Sequence, residues 1–305
     1  MLKAYVSTLY RLMQQDQNVY SLLSDSGTEY DTLLAREFPD RCFNFGIAEE
    51  NKVGAASGMA AIGKIPFIQT SGAFLAYRSY EFIRNDICIQ QRNVKIVGSG
   101  SGLSIPALGP SHHCTEDIAA LRVIPNLLLL SPASPKEMEQ CVEAAYQYHG
   151  PVYIRAGMTG EPEIYDEGYQ FQIGTPTILK DGSDATLFVT GSIAANAVKA
   201  AESLRADHIS LRVVNISTLS NIDLEKIAYY IQNKVVFSLE EHSIVGGLGG
   251  ILSEVIADLG LRVKLVRIGL YNQFASGYGS YEEVREKNHL GVNHICSMVQ
   301  SELSK

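Results

Sequence analysis

The chain has 305 residues, 46% hydrophobic and 19% charged, with a net charge of −8 and a pI of about 5.4. That length exceeds one ordinary core and predicts two domains of roughly 150 residues each. The acidic balance argues against nucleic acid as the main partner, because phosphate binding needs a basic face. No apolar run nears the ~20 residues that cross a bilayer, and the start, MLKAYVSTLYRLMQQDQ, has no cleavable signal pattern. A cytoplasmic protein is expected. Cys42, Cys88, Cys114, Cys141 and Cys296 are scattered without CxxC spacing, so neither a disulfide framework nor a zinc site is indicated.

Short apolar runs alternate with longer amphipathic ones. Residues 18–25, 64–71, 93–100, 126–132 and 150–157 read as buried strands, with helices expected at 73–91 and 135–149. Pro135 suits the first turn of the latter. Residues 161–183 are polar and rich in Gly and Pro, and read as a linker between a domain at 1–160 and one at 184–305. A second alternation follows, with strands at 185–192, 209–217, 234–241 and 262–270. Helices are expected at 194–206, 223–233, 249–260 and the terminal stretch. The fold class is therefore α/β: two open, mainly parallel sheet domains with helices on both faces.

Within FNFGIAEENKVGAASGMA (43–60), Asn44 and Gly46 end a strand and a helix starts near Ile47, placing Glu49 and Glu50 in its first turn. The helix dipole alone explains acids there, by ~0.3–1 kcal/mol each. The small residues 54–58 predict a close neighbour, beside which a carboxylate is poorly hydrated and suited to sharing a proton with a bound base. Phe74, Tyr77 and Tyr80 recur at steps of three, either as a core stripe or as a face for a flat heteroaromatic ligand. GPSHHCTED (109–117) carries His112 and His113. Their adjacency prevents both from chelating one metal on a helix, while imidazole remains a versatile proton carrier at neutral pH. The glycine clusters GSGSG (98–102) and GGLGG (246–250) fit neither dinucleotide nor P-loop spacing; tight strand–helix packing explains the second. Arg155 ends an expected strand, where open α/β sheets bind ligands, but it reads equally well as a surface residue.

Taken in order, these pieces resemble the C-terminal half of transketolase over nearly the whole chain. GIAE, aromatic-x-x-aromatic-x-x-Tyr and GPSH match the family's middle domain, and EDIAALRVIPNLLLLSPAS and FSLEEHSIVGGLGG resemble the stretches that follow. The resemblance implies a thiamine-diphosphate-binding pyrimidine domain followed by a transketolase C-terminal domain. The activity implied is transfer of a two-carbon ketol unit from a ketose to an aldehyde. It also implies Glu49 as partner of the aminopyrimidine nitrogen N1′, Phe74, Tyr77 and Tyr80 as the aromatic pocket, and, more loosely, Asp25 near the cofactor. His112 is implied as catalytic and substrate-binding, and Arg155 as a substrate-phosphate ligand.

The family's Gly-Asp-Gly and Asn, which hold diphosphate and Mg²⁺, do not occur here. The expectation is therefore a small subunit of a split transketolase, completed in an α2β2 assembly by an N-terminal subunit supplying those ligands. Gly100 stands at the family's histidine and Leu108 at its aspartate, so a non-standard acceptor is expected. Alternatives are a deoxyxylulose-phosphate-synthase-like or 2-oxoacid-dehydrogenase-beta-like subunit, or a non-catalytic interaction protein of the same fold.

Overall fold

The computed structural model describes residues 1–24, 29–158 and 160–305. The first domain is a six-stranded sheet of β1 (Val19–Leu23), β2 (Cys42–Asn44), β3 (Ile65–Ser71), β4 (Lys95–Ser99), β5 (Leu128–Leu130) and β6 (Val152–Ala156). The order is β2-β1-β3-β4-β6-β5, and every pairing is parallel. All residues of β4, β5 and β6 are buried, as expected of parallel strands covered on both faces. On one face the helix Leu2–Gln15 packs its buried stripe, including Tyr5, Leu9 and Met13, with Met138, Cys141 and Val142 of the helix Pro135–Gln147. Each such fully buried side chain contributes roughly 1.5–3 kcal/mol. The helix Glu49–Ala61 and the segment from Phe74 to Cys88 cover the other face.

The second domain is a five-stranded sheet of β7 (Thr177–Lys180), β8 (Ala185–Val189), β9 (Leu211–Asn215), β10 (Val235–Ser243) and β11 (Lys264–Leu270). Its order is β11-β10-β8-β9-β7, parallel except for the antiparallel edge strand β7. The domains share apolar packing: Ile118, Leu121 and Ile124 lie in one cluster with Ile216, Leu248 and Ile251.

The linker expected at 161–183 is corrected by this arrangement. Thr177–Lys180 belongs to the second sheet, and the residues before it are docked on the protein. Glu163 accepts from Ser134 Oγ at 2.6 Å and from Lys136 N at 2.9 Å, which satisfies the start of the helix Pro135–Gln147. Tyr169 Oη donates to Glu137 at 2.6 Å. Polar composition signalled a surface connection, but these polar groups are bonded to the domains rather than to water alone. The helix expected at 223–233 is regular only over Leu224–Ala228.

No disulfide joins the five cysteines, and all but the half-buried Cys296 are buried. Burial pushes the Cys88 thiol up to about 12 and raises Cys114 and Cys141 well above the ordinary range. Because the thiolate is the reactive form, a thiol reagent at pH 8 is expected to label the native chain slowly, at Cys296, and all five cysteines after unfolding. Mass spectrometry of the labelled protein checks this; rapid native labelling of two or more sites would contradict it. No helix among the described residues is long and apolar enough to cross a membrane.

Candidate active site

In the first sheet the strand order reverses between β1 and β3, so the carboxyl ends of these strands open a crevice, the usual ligand site of open α/β sheets. A cavity of about 380 Å³ lies there. Ser24, Gln69, Thr70, Ser71 and Ser99, at or just past the ends of β1, β3 and β4, contribute to its lining. Glu49, Phe74, His112, Ile105, Leu108 and Met158 also line it.

Local sequence explains how Glu49 reaches this place. Gly46 N donates to Asn44 Oδ1 at 2.8 Å, and Gly46 adopts φ +65°, a left-handed turn that suits glycine. The chain thus leaves β2 and enters the helix at Glu49. Glu49 is 1% exposed. Arg78 Nη1 donates to its Oε2 at 2.6 Å, and the Arg78 guanidinium lies 5.0 Å from the Phe74 ring centroid. Among the described residues Oε1 has no hydrogen-bond partner. Below it, buried Lys52 Nζ donates to Ser24 Oγ at 2.6 Å and to Gln69 O at 2.9 Å. Glu50 is half-buried at the helix start, where the dipole accounts for it.

The close neighbour expected around residues 54–58 exists on one side only. Ala56 and Ser57 face inward, with Ser57 Oγ donating to Asp86 O at 2.7 Å. A Cβ on Gly54 or Gly58 would meet nothing within 4 Å.

Phe74, Tyr77 and Tyr80 do not form one face. The helix widens to π turns over Phe74–Arg78 and Ile83–Cys88, with a break at Ser79. Steps of three fall short of a full α-turn, and wider turns increase the shortfall. Phe74 lines the cavity, with its ring edge-on to His112 at 5.2 Å. Tyr77 turns away: its hydroxyl donates to Glu116 Oε2 at 2.9 Å and accepts from Glu116 N at 3.0 Å. Tyr80 packs on the apolar core.

His112 is half-buried in the cavity wall, with Nδ1 3.0 Å from Ser111 Oγ. Its neighbour His113 is 3% exposed at the domain seam, and burial lowers its ring below the ordinary value. Asp25 lies outside the described residues. The expectation for Arg155 is corrected. Its side chain turns from the end of β6 into the seam between domains and is 3% exposed. Nε donates to both Asp117 oxygens at 3.0 Å, and Nη2 donates to Cys114 O at 3.0 Å and Glu241 O at 2.9 Å. Burial alone would lower this guanidinium, but the Asp117 carboxylate pushes it above its ordinary value. The charge is consumed internally and does not line the cavity.

Neither glycine cluster forms a phosphate cradle. A Cβ on Gly100 would come 2.2 Å from Ile105 Cδ1, and one on Gly102 would come 2.4 Å from Glu241 Oε2, so both sites are filled by side chains. At GGLGG, Leu248 N and Gly249 N donate to the buried Glu240 carboxylate at 2.7 and 2.8 Å. That carboxylate occupies the helix N-terminus in place of an outside anion.

Arg78 and Lys52 are the site residues that sequence reading missed. Lys52 stands one helical turn after Glu49 and was open to an i,i+3 argument. Arg78 had no local signal, because its partner lies 29 residues away.

This geometry has close relatives. The family model for the transketolase pyrimidine-binding domain matches residues 1–158, and that for the transketolase C-terminal domain matches 174–295. A Methanocaldococcus jannaschii protein named as a putative transketolase C-terminal section is 37% identical over 308 residues, covering 100% of this chain and 96% of that protein. One of the subunits of the apulose-4-phosphate transketolase of Actinobacillus succinogenes is 35% identical, covering 87% of this chain and 86% of that protein. A solved split-gene transketolase, described as an inactive β4 tetramer, is 36% identical and superposes with a TM-score of 0.89. That match covers 99% of this chain and 97% of the other. The chain belongs to the transketolase family, with the pyrimidine-binding and C-terminal domains that form one subunit of a split transketolase.

Proposed function

We propose that this chain forms the pyrimidine side of a thiamine-diphosphate-dependent transketolase, completed by an N-terminal subunit that carries the diphosphate site. The assembly is α2β2 and cytoplasmic, with active sites between unlike chains and Mg²⁺ ligands on the partner. One observation carries the reading: a buried carboxylate, Glu49, sits in the wall of a strand-end cavity with one oxygen anchored by Arg78 and an aromatic ring, Phe74, beside it.

The residues fit the pyrimidine half of the cofactor, since an oxygen of Glu49 without a partner among the described residues suits a ring nitrogen and Phe74 offers an apolar face. When bound, thiamine diphosphate supplies the nucleophilic carbon and the electron sink for breaking and making a C–C bond beside a carbonyl. Glu49 Oε1 holds the proton at N1′, while Arg78 fixes the carboxylate's orientation through Oε2. His112, at the cavity wall, donates or accepts a proton at the oxygen of the reacting carbonyl. The Glu49 side chain is 1% exposed in the cavity wall.

The test is reconstitution. The chain with a partner carrying Gly-Asp-Gly and Asn, thiamine diphosphate and Mg²⁺ is expected to transfer a two-carbon unit from a ketose to an aldehyde, and the chain alone is not. Full turnover and cofactor affinity in the chain alone would overturn the split site. Pyruvate decarboxylation without ketol transfer would overturn the transketolase assignment in favour of a 2-oxoacid enzyme.

A further inference from the structure

We infer that Tyr278, on a loop of the second domain, is a positioning residue for His112: its ring holds the turn that carries the imidazole into the cavity. The inference rests on the function proposed above, in which His112 moves a proton at the reacting carbonyl, and it assigns the second domain a part in that step.

Residues 102–114 leave the first sheet just after β4 and close on themselves. Gly102 N donates to Cys114 O at 2.9 Å, and Cys114 N donates to Gly102 O at 3.0 Å, so the ends are pinched together as in a compact surface loop. Both ends are tied to the second domain. Leu103 N donates to Glu241 Oε2 at 3.4 Å, and Ser243 N donates to Thr115 O at 2.7 Å. At the tip, Ala107, Leu108, Pro110 and Ser111 are exposed, yet Gly109 between them is buried. The edge of the Tyr278 ring covers it: a Cβ on Gly109 would stand 2.9 Å from both Cε1 and Oη of Tyr278. Gly109 adopts φ +69°, and its carbonyl accepts from His112 N at 3.0 Å and His113 N at 3.1 Å. Gly109 thus sets the turn that delivers His112 to the cavity and His113 to the seam.

One helix, Tyr281–Lys287, backs this contact. Lys287 Nζ donates to Tyr278 O at 3.1 Å, and Ser280, two residues after Tyr278, caps the helix in a reciprocal capping box with Glu283. The same helix supplies Tyr281, whose Oη donates to Glu241 Oε2 at 2.6 Å, and Arg285, whose Nε donates to Glu241 Oε1. A single short helix therefore supports both the Glu241 contact at the base of the His112 loop and the Tyr278 contact at its tip. Tyr278 is outside the cavity lining, so it acts on the reaction through Gly109. It is also 63% exposed, so removing its ring leaves the cores of both domains intact.

Hydrogen exchange read by mass spectrometry on the full chain tests the hold on the turn. Tyr278→Ala is expected to speed exchange of the His112 and His113 amides by about tenfold or more, since a turn that loses its support opens locally. The β4 amides are expected to stay unchanged. Unchanged exchange at His112 and His113 overturns the inference, and so does equal acceleration in β4, which would report a loss of overall stability. Ketol transfer by the assembled pair tests the consequence for the reaction. Tyr278→Ala is expected to lower kcat by about tenfold or more, since a misplacement of about 1 Å can cost about 10²-fold. In a His112→Ala background the same change is expected to alter kcat by less than about twofold, because both positions act through one group. Tyr278→Phe keeps the ring edge over Gly109 and is expected to turn over close to the parent. An equal loss in both backgrounds, no loss in either, or a Phe variant as slow as the Ala variant overturns the inference. A parent pair without ketol transfer overturns the function proposed above, and the exchange result then decides alone whether Tyr278 holds the turn.

Discussion

Replacing Glu49 by Gln is expected to lower kcat of the assembled enzyme by about 10²–10⁴-fold, the usual range for a positioned acid–base group. The amide keeps the size of the carboxylate, and its oxygen still accepts from Arg78, which now sits 2.6 Å from Oε2. What is lost is the capacity of the other terminal atom to hold a proton at the ring nitrogen. Folding should be unaffected, because the amide is neutral and the site is 1% exposed. Far-UV circular dichroism and partner binding should therefore match the parent while steady-state turnover collapses. A kcat within threefold of the parent would remove Glu49 from the chemistry.

The largest effect on stability is expected at the domain seam. Arg155→Met should cost ~3–5 kcal/mol, because it leaves Asp117 as a buried carboxylate without its cation. Both side chains are almost fully buried, and Arg155 also donates to Cys114 O and Glu241 O, bridging the two sheets. Tyr153 Oη, 3.2 Å from Asp117 Oδ2, is a weak substitute for the guanidinium. Against a typical total of ~5–15 kcal/mol, such a loss is large. Urea unfolding should show it as a lower midpoint. The double change Arg155→Met with Asp117→Leu should recover part of the loss, since replacing a whole buried pair costs less than breaking it. A single-mutant loss below about 1 kcal/mol would mean that the pair is not a main tie between the domains.

Much of this architecture was legible in the chain. LLL is wholly apolar and KIVGS and VYIRA are centred on apolar residues, because parallel strands buried on both faces need no solvated polar side. Asn44 and Gly46 marked the turn into the Glu49 helix because their local bonding and backbone freedom are intrinsic to those residue types. The order of GIAE, the aromatic steps and GPSH pointed to the cavity in which Glu49, Phe74 and His112 meet.

Other features depended on partners that only the fold brings together. Arg155 was legible as a strand-end residue, but Asp117, 38 residues earlier, decides that it points into the seam. Glu240 is near in sequence, in the strand just before the GGLGG helix, but only the fold turns its carboxylate onto that helix start, so the glycines alone could not exclude an anion. The π turns that separate Phe74 from Tyr77 and Tyr80 have no counterpart in three-residue spacing. The anchoring of Glu49 by Arg78 likewise joins residues 29 positions apart. Sequence by itself determined the alternating elements, the two domains and the acid to watch, because backbone preference and apolar periodicity act locally. Only the tertiary structure decided which charges are spent inside and which face the cavity, because a charge is settled by the group it meets in space.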